Sequence, residues 1–223
     1  MPLQNRVDPF GQIRATAARG LFTGNRGILH DPETRTLTAK RWTTKAWIVC
    51  SCAFGGRRRV VMGRNAPSGN AGWTELFFLD EATALAAGHR PCFFCRREEA
   101  TTFASCFAAG NGLDAARAPA IDARLHRERL TPPHERLSVW GDAVRTLPDG
   151  AMVAHDKQAL LVVGGALRRW SFTGYGPAPA FSSRPDTRLR LVTPPATLAA
   201  LKAGYKPVLH ETARTGSSAA PTA

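Results

Sequence analysis

The chain has 223 residues, 43% of them hydrophobic, and its 30 Lys and Arg against 17 Asp and Glu give a formal net charge of +13. This length and apolar content exclude a disordered chain and allow one large domain or two small ones. The positive charge favours a polyanionic partner, and we expect nucleic acid, above all DNA, although arginine-rich composition can also reflect a GC-rich genome.

The sequence also limits the cellular compartment and the role of the cysteines. The N-terminal residues contain no apolar signal segment, and the chain has no apolar run of membrane-spanning length, so we expect a cytoplasmic protein without membrane partners. Five cysteines are an odd number, which argues against a disulfide framework in a reducing compartment. Metal binding or nucleophilic chemistry therefore becomes the favoured role for the thiols.

The first part of the chain predicts mostly extended structure. Residues 5–27 are rich in Arg, Gly and small side chains, which is typical of extended and looped segments. Residues 35–54, 57–63 and 73–79 have the β-branched and aromatic content of strands. Gly55 and Gly56 predict a hairpin between the first two of these strands.

Three helices follow. Asp80 has the position of an N-cap and Gly88 that of a left-handed C-terminal stop, so we predict a helix over residues 81–87. The periodicity of Phe103, Cys106 and Phe107 predicts a second helix from 97 to about 109, with these three side chains in the core. Residues 118–130 predict a third.

The character changes after residue 147. Turn signals alternate with short apolar runs in the pattern of an antiparallel meander. A C-terminal helix follows, with Thr193 as N-cap and Gly204 as stop. We therefore predict an α+β fold with four parts: a zinc-stabilised module of β-hairpin and helix over 1–130, a linker over 131–147, a small antiparallel β-rich subdomain over 148–210 that includes the C-terminal helix, and a disordered tail over 211–223.

The predicted zinc site rests on cysteine spacing. Cys92 and Cys95 lie in a tight turn, where both thiolates can reach one ion. Cys50 and Cys52 point to the same face of a regular strand and can also chelate. A redox dithiol and plain core cysteines are the alternatives for the first pair, and core packing is the alternative for the second. The candidate ligands are Cys92, Cys95, Cys50, Cys52 and His89, with His30 more distant.

One stretch resembles a known family. Residues 77–97, FFLDEATALAAGHRPCFFCRR, resemble the second half of the zinc-binding domain of Ada-type methyl-phosphotriester DNA repair proteins, through a short helix and the residues Gly88, Arg90, Pro91, Cys92, Cys95 and Arg96. The resemblance implies zinc at Cys92 and Cys95 and DNA as the setting. In that family four cysteines hold the ion, and one of the earlier pair accepts a methyl group. The rest of the chain resembles bacterial proteins of similar length, which implies no activity.

The chain departs from the Ada pattern at several positions. Cys50 and Cys52 are more closely spaced than the family's first pair, the gap to Cys92 is longer, and His89 replaces an aromatic residue. The chain also lacks the Pro-Cys-His-Arg alkyltransferase motif. Methyl transfer is therefore not carried over.

Other polar residues are candidates for chemistry. Asp122 and His126 lie one turn apart on a predicted helix, where a carboxylate could orient a general base or a metal ligand, or form a solvated ion pair. Glu75 shares a predicted strand face with Trp73 and Phe77, and it is either a functional carboxylate or part of an exposed edge. The candidate catalytic set is His126, Asp122, His30 and Glu75.

Arginines are the candidate phosphate ligands. Arg26 lies in a glycine-flanked loop that could bind a phosphate or form a plain surface turn. The tryptophans and Tyr175 alternate with arginines, so they could stack on unpaired bases, although core packing is the usual role of such side chains. The candidate nucleic-acid ligands are Arg26, Arg57, Arg58, Arg59, Arg90, Arg96, Arg97 and Arg129.

Three functions follow from these residues. The first is a zinc-containing DNA-binding protein of DNA repair or processing, which holds DNA through phosphate contacts. The second is a metal-dependent nuclease with an additional Mg²⁺ or Mn²⁺ ion. The third is an Ada-like acceptor of alkyl groups on Cys50 or Cys52.

Overall fold

A computed structural model of the chain describes residues 1–56, 60–180 and 184–214. Within these ranges the fold is mixed α+β, with two six-stranded sheets, a two-stranded ribbon and four α-helices. The helices are α1 Glu81–Ala86, α2 Arg97–Gly110, α3 Ala118–Leu130 and α4 Pro195–Lys202. In the part of the chain described, no helix has the length and apolar character needed to cross a membrane.

The first sheet holds strands from the N-terminal part of the chain. Its strands are β1 Gln4–Val7, β2 Ile13–Ala15, β3 Phe22–Asn25, β6 Ile48–Ser51, β7 Leu76–Phe78 and β8 Arg90–Pro91. They are ordered β2-β1-β7-β3-β6-β8, and the pairs β1–β7 and β6–β8 are parallel. A separate ribbon is formed by β4 His30–Asp31 and β5 Thr36–Leu37.

The second sheet contains the predicted meander. Its strands are β9 Ser138–Trp140, β10 Met152–His155, β11 Gln158–Val163, β12 Ala166–Ser171, β13 Gly174–Gly176 and β14 Arg188–Leu191. Strands β10 to β13 are consecutive antiparallel neighbours, and β14 and β9 extend the other edge. Gly164 and Gly165 both have positive φ, as a two-residue turn between right-twisted strands requires.

Helix α1 lies between the two sheets, which explains its alanine-rich sequence. Ala84 and Ala87 belong to the core cluster of the first sheet, whereas Ala82 and Ala86 belong to a cluster on the second sheet. All six residues of α1 are buried. Small side chains let both sheets approach the same short helix closely. The predicted N-cap is confirmed, since Asp80 accepts a hydrogen bond from the Thr83 amide.

Helices α2, α3 and α4 cover the other face of the second sheet. Phe103, Phe107, Ile121 and Leu125 share one buried cluster with side chains of β10, β11 and β14. Strand β11 is therefore covered on both faces and has the continuous apolar run expected of such a strand. The core thus joins residues before and after the expected linker.

Several sequence expectations are corrected. Strand β6 pairs with β3 and β8, so it does not form the expected hairpin through Gly55 and Gly56. Residues 60–63 form a turn, while 57–59 lie outside the described residues. The expected linker, 131–147, contributes the edge strand β9. The expected tail begins with an ordered turn at Glu211–Ala213, whose Ala213 is fully buried. Thr193 accepts from the Met152 amide, and Pro194 takes the N-cap position of α4.

Candidate metal centre

Three cysteine thiols meet where β8 joins the first sheet. Cys50 lies on β6, Cys92 directly follows β8, and Cys95 lies just before α2. Parallel pairing aligns Val49 with Pro91, and the Cys92 amide donates to the Val49 carbonyl at 3.0 Å. The three Sγ atoms consequently lie within 4.8 Å of one another.

The backbone of the Cys-x-x-Cys turn is directed at the sulfurs. The amide of Phe94 donates to Cys92 Sγ at 3.4 Å, and the nearby Cys95 amide also lowers the pKa of Cys92. The nearby Ser51 amide lowers the pKa of Cys95. The close approach of the Cys50 thiol to the other two sulfurs raises its own pKa and lowers the pKa of Cys92 and of Cys95. The turn therefore favours thiolates, the form of cysteine that binds metal.

The three cysteines could hold one metal ion. A tetrahedral ion with metal–sulfur bonds of about 2.3 Å needs sulfur atoms about 3.8 Å apart, a spacing within the 4.8 Å that bounds the three Sγ separations. Among the described residues, no other group of three Cys, His or carboxylate side chains lies within metal-binding distance. The residues outside the described ranges include no Cys, His, Asp or Glu.

Two expected ligands lie outside the cluster. The Cys52 side chain follows the end of β6, is exposed, and its thiol donates to the Leu21 carbonyl at 3.4 Å. His89 is fully buried, its Nδ1–H donates to the Ala84 carbonyl, and its Nε2 accepts from Arg26. Both ring nitrogens of His89 are occupied, so this assignment as a ligand is corrected.

A buried salt bridge secures the turn that carries Cys92 and Cys95. Arg96 donates to Glu81 at 2.9 Å, with both side chains almost fully buried. Glu81 also accepts from the Tyr205 hydroxyl at 2.6 Å and from the Val208 amide at 2.9 Å. The start of α2 is thus tied to α1 and to the C-terminal segment. Arg96, expected as a phosphate ligand, instead positions the cysteine turn.

A second buried pair involves two other candidate residues. Arg90 binds Asp122 with two hydrogen bonds of 2.8 Å each, which joins β8 to α3. This contact occupies the carboxylate that was expected to orient His126. His126 instead contacts the ring of Trp42 and lies 3.4 Å from Arg129.

The remaining catalytic candidates, His30 and Glu75, form hydrogen bonds with the loop that follows β6. His30 is hydrogen bonded to Thr74 at 2.7 Å. Glu75 accepts from the Met62 amide at 2.9 Å and from the Asn65 side chain. Together with Asp122 and His126, these residues form no metal-binding group in the described part of the chain, so the expected four-residue catalytic centre is not assembled.

The other candidate phosphate ligands have varied environments. Arg26 is fully buried, and Arg129 is almost so. Their guanidinium groups lie over the ring of Trp47, with the carbon atoms 3.9 and 4.2 Å from its centroid. Arg97 is exposed on α2. Arg57, Arg58 and Arg59 lie outside the described residues.

The thiol cluster opens into a cavity of about 500 Å³. Its floor is one face of the first sheet, where Cys50, Thr23 and Phe77 are neighbours across three strands. Glu75, two residues before Phe77, lines the same cavity and is the one carboxylate among the described lining residues. Strand geometry places its Cα about 12 Å from that of Cys50.

Aromatic side chains complete this cavity. Trp73 and Phe77 line it from the sheet side. Phe54 and Phe94 also line it, meet edge to face with ring centroids 5.1 Å apart, and are partly exposed. The sequence pattern brought Trp73, Glu75 and Phe77 to one strand face, but it carried no signal that Phe54 and Phe94 would join them.

No protein-family model, curated protein or solved structure matches this chain.

Proposed function

We propose that the protein is a zinc enzyme of hydrolytic type, in which Cys50, Cys92 and Cys95 hold one zinc ion at the end of the aromatic cavity. The observation that carries this proposal is the number of ligands: three thiols converge and face a cavity. Structural zinc sites usually have four protein ligands, whereas catalytic sites usually have three and leave one position for water or substrate.

Zinc is a metal that suits the donor set. Thiolate ligands select zinc, Cu(I) and iron–sulfur clusters over Mg²⁺, Ca²⁺ and Mn²⁺, which prefer oxygen. This choice also argues against a Mg²⁺ or Mn²⁺ nuclease at this site. A bound zinc ion with an open position supplies Lewis acidity and lowers the pKa of a coordinated water molecule.

The cavity supports a small substrate with a planar group. Its volume falls within the range of about 300 to 1,000 Å³ typical of small-molecule sites. Trp73, Phe77, Phe54 and Phe94 offer apolar surfaces for such a group, and Asn25 and Thr23 offer hydrogen bonds. Glu75 fixes the loop over the cavity and is the carboxylate available to move a proton opposite the thiols.

A second candidate is the Ada-like transfer of an alkyl group to a zinc-bound thiolate. It is supported by the position of the sulfurs, because all three line the cavity, where an electrophile can reach them. Mass spectrometry after exposure to a methylating agent tests it. Zinc-dependent methylation of Cys50, Cys92 or Cys95 supports transfer, whereas an adduct confined to the exposed Cys52 contradicts it.

Metal content tests the ligand set. We expect one zinc per chain in the purified protein and its loss in Cys50→Ser, measured by elemental analysis. Cys106→Ser is the matched control, since Cys106 packs against the helical core away from the cluster. Cys52→Ser should also retain the ion. Loss of zinc in Cys52→Ser would indicate four thiolate ligands and a closed structural site, which would contradict the proposal.

Cobalt substitution tests the open position. In the cobalt-loaded protein, we expect the visible spectrum to change on addition of a small exogenous ligand such as azide, and the same change to occur in Cys52→Ser. Turnover of small planar amides, amidines and esters by the zinc-loaded protein, lost in Glu75→Gln, would then assign the reaction. A spectrum insensitive to added ligand would leave zinc with a structural role alone.

A further inference from the structure

A basic cleft lies away from the thiol cavity. Thr23 and Asn25 line the cavity, whereas Arg26, the next residue, crosses to the other face of the first sheet, where it contacts the Gly11 carbonyl. The cleft has a volume of about 1,210 Å³ and is lined by residues 4–14, the end of α3, and side chains of β11, β12 and β14. Among the described lining residues, seven Lys and Arg face two Asp.

Five arginines define this arginine cleft: Arg26, Arg41, Arg129, Arg136 and Arg190. Within the described part of the chain, none of them forms an ion pair with a carboxylate. Arg14, which also lines the cleft, pairs with Asp8 at 3.8 Å and is not counted among the five. The cleft therefore gathers five arginines without a direct carboxylate partner.

Two buried donors on arginines that line the cleft lack acceptors. Arg26 Nη2 and Arg129 Nε are inaccessible and have no hydrogen-bond partner among the described residues. The other donors of these guanidinium groups bind the carbonyls of Gly11, Gly88 and Lys45 and the rings of His89 and His126. Because buried N–H groups are almost always paired, two unpaired N–H donors on arginines of one basic cleft favour a hydrogen-bond acceptor supplied by a bound ligand.

The arginines also repel one another. Burial, reinforced by Arg41 and Arg129, lowers the pKa of Arg26 to about 9, and burial lowers the pKa of Arg129 to about 10. Burial, Arg190 and Arg41 lower the pKa of Arg136. All of these groups still carry their charge at neutral pH, so a bound anion would relieve the repulsion.

Phosphate is the anion that fits the donors, and the cleft is larger than one phosphate needs. Guanidinium groups bind phosphate oxygens through two parallel hydrogen bonds. Half-buried rings of Trp170 and Phe10 line the same cleft, and such rings stack on unpaired bases. We propose that the arginine cleft binds a segment of single-stranded nucleic acid, with phosphates on the arginines and bases on the two rings.

This site is independent of the zinc centre and can be tested with zinc-loaded protein. The test variant is Arg41→Gln/Arg190→Gln, because Arg41 is exposed and both side chains contact aromatic rings instead of forming buried hydrogen bonds. Binding of a labelled oligothymidine is followed by fluorescence anisotropy at several salt concentrations. Loss of two phosphate contacts should reduce the slope of log affinity against log salt by about 1.4 and weaken binding about tenfold at 0.2 M salt.

The control variant is Arg97→Gln/Arg188→Gln, which removes the same charge from exposed arginines that do not line the cleft. We expect less than a twofold effect. An equal loss in both variants would mean that net charge alone attracts the oligonucleotide, and would overturn the proposal.

Two ligand comparisons complete the test. Inorganic pyrophosphate should compete only weakly with the oligonucleotide, and displacement at equal concentration would identify a simple anion site instead. An abasic oligonucleotide of the same length should bind more weakly than oligothymidine. Equal affinity for the two would refute base stacking and the preference for unpaired strands.

Discussion

Replacing Glu81 by Gln should destabilise the protein strongly, because Glu81 neutralises Arg96 in the interior beside the thiol cluster. The two side chains are 1% and 2% exposed. Removing one partner of such a pair leaves a buried charge without compensation, at a cost of about 3 to 5 kcal/mol. Glu99 remains 3.4 Å from Arg96 and offsets part of this cost. The Gln side chain also loses an acceptor for the Val208 amide or the Tyr205 hydroxyl.

We therefore expect a loss of about 3 to 4 kcal/mol in the free energy of unfolding, which corresponds to a fall of about 6 to 16 °C in Tm. Urea unfolding followed by circular dichroism measures the first quantity, and a thermal scan measures the second. Arg124→Gln, which breaks the more exposed helical pair with Glu128, is the control and should cost less than about 1 kcal/mol.

The double variant Glu81→Gln/Arg96→Met completes the cycle. If the charge left on Arg96 is the cause, its removal should recover about 1 to 3 kcal/mol of the loss. A single Glu81→Gln loss below about 1 kcal/mol, or no recovery in the double variant, would refute the view that this salt bridge holds the cysteine turn.

Two further predictions concern His89 and Gly88. Burial, with Arg26 and Arg129, lowers the pKa of His89 well below its usual value. The neutral His89 ring therefore contributes its full stabilisation above about pH 6.5, and this stabilisation is lost as pH falls, by about 1.4 kcal/mol per pH unit. In His89→Gln, the free energy of unfolding measured with urea should depend less steeply on pH in the acid range, and an unchanged dependence would contradict this. Gly88→Ala should lower the free energy of unfolding by about 2 kcal/mol or more, since φ is +84° and the new Cβ would lie 2.6 Å from Arg129. Gly112→Ala, where φ is +66° and the Cβ would enter open space, is the control. Equal losses of Tm in the two variants would refute the steric argument.

Local signals in the sequence predicted the helices and much of the second sheet. The Asp80 cap and Gly88 bounded α1 within one residue, and α3 begins and ends as expected. Alternation of turns and apolar runs predicted the meander because its strands are neighbours in sequence. The first sheet was harder, since β1 pairs with β7, and β6 with β8, across long stretches of chain.

In the candidate site, too, the local contacts could be predicted from the sequence and the long-range contacts could not. Spacing indicated Cys92 and Cys95, which the turn brings together locally. It could not choose between Cys50 and Cys52, because residues two apart share a strand face, and only the end of β6 at Ser51 separates them. Nor could it show that Arg90 and Arg96 are paired with carboxylates, because both partners come from other elements of the fold.

The parallel pairing of β8 with β6 brings Cys50 to Cys92 and Cys95, so that the three-thiol cluster closes a long loop. Cys50 and Cys92 are 42 positions apart, and closing a loop of that size costs about 4 kcal/mol of chain entropy. The unfolded chain can offer the ion only separate pairs of thiols, so the complete site exists after the sheet has formed. A bound ion would then stabilise the chain only late in folding. Unfolding would require the chain to release the metal first, so the ion should slow unfolding more than it speeds folding.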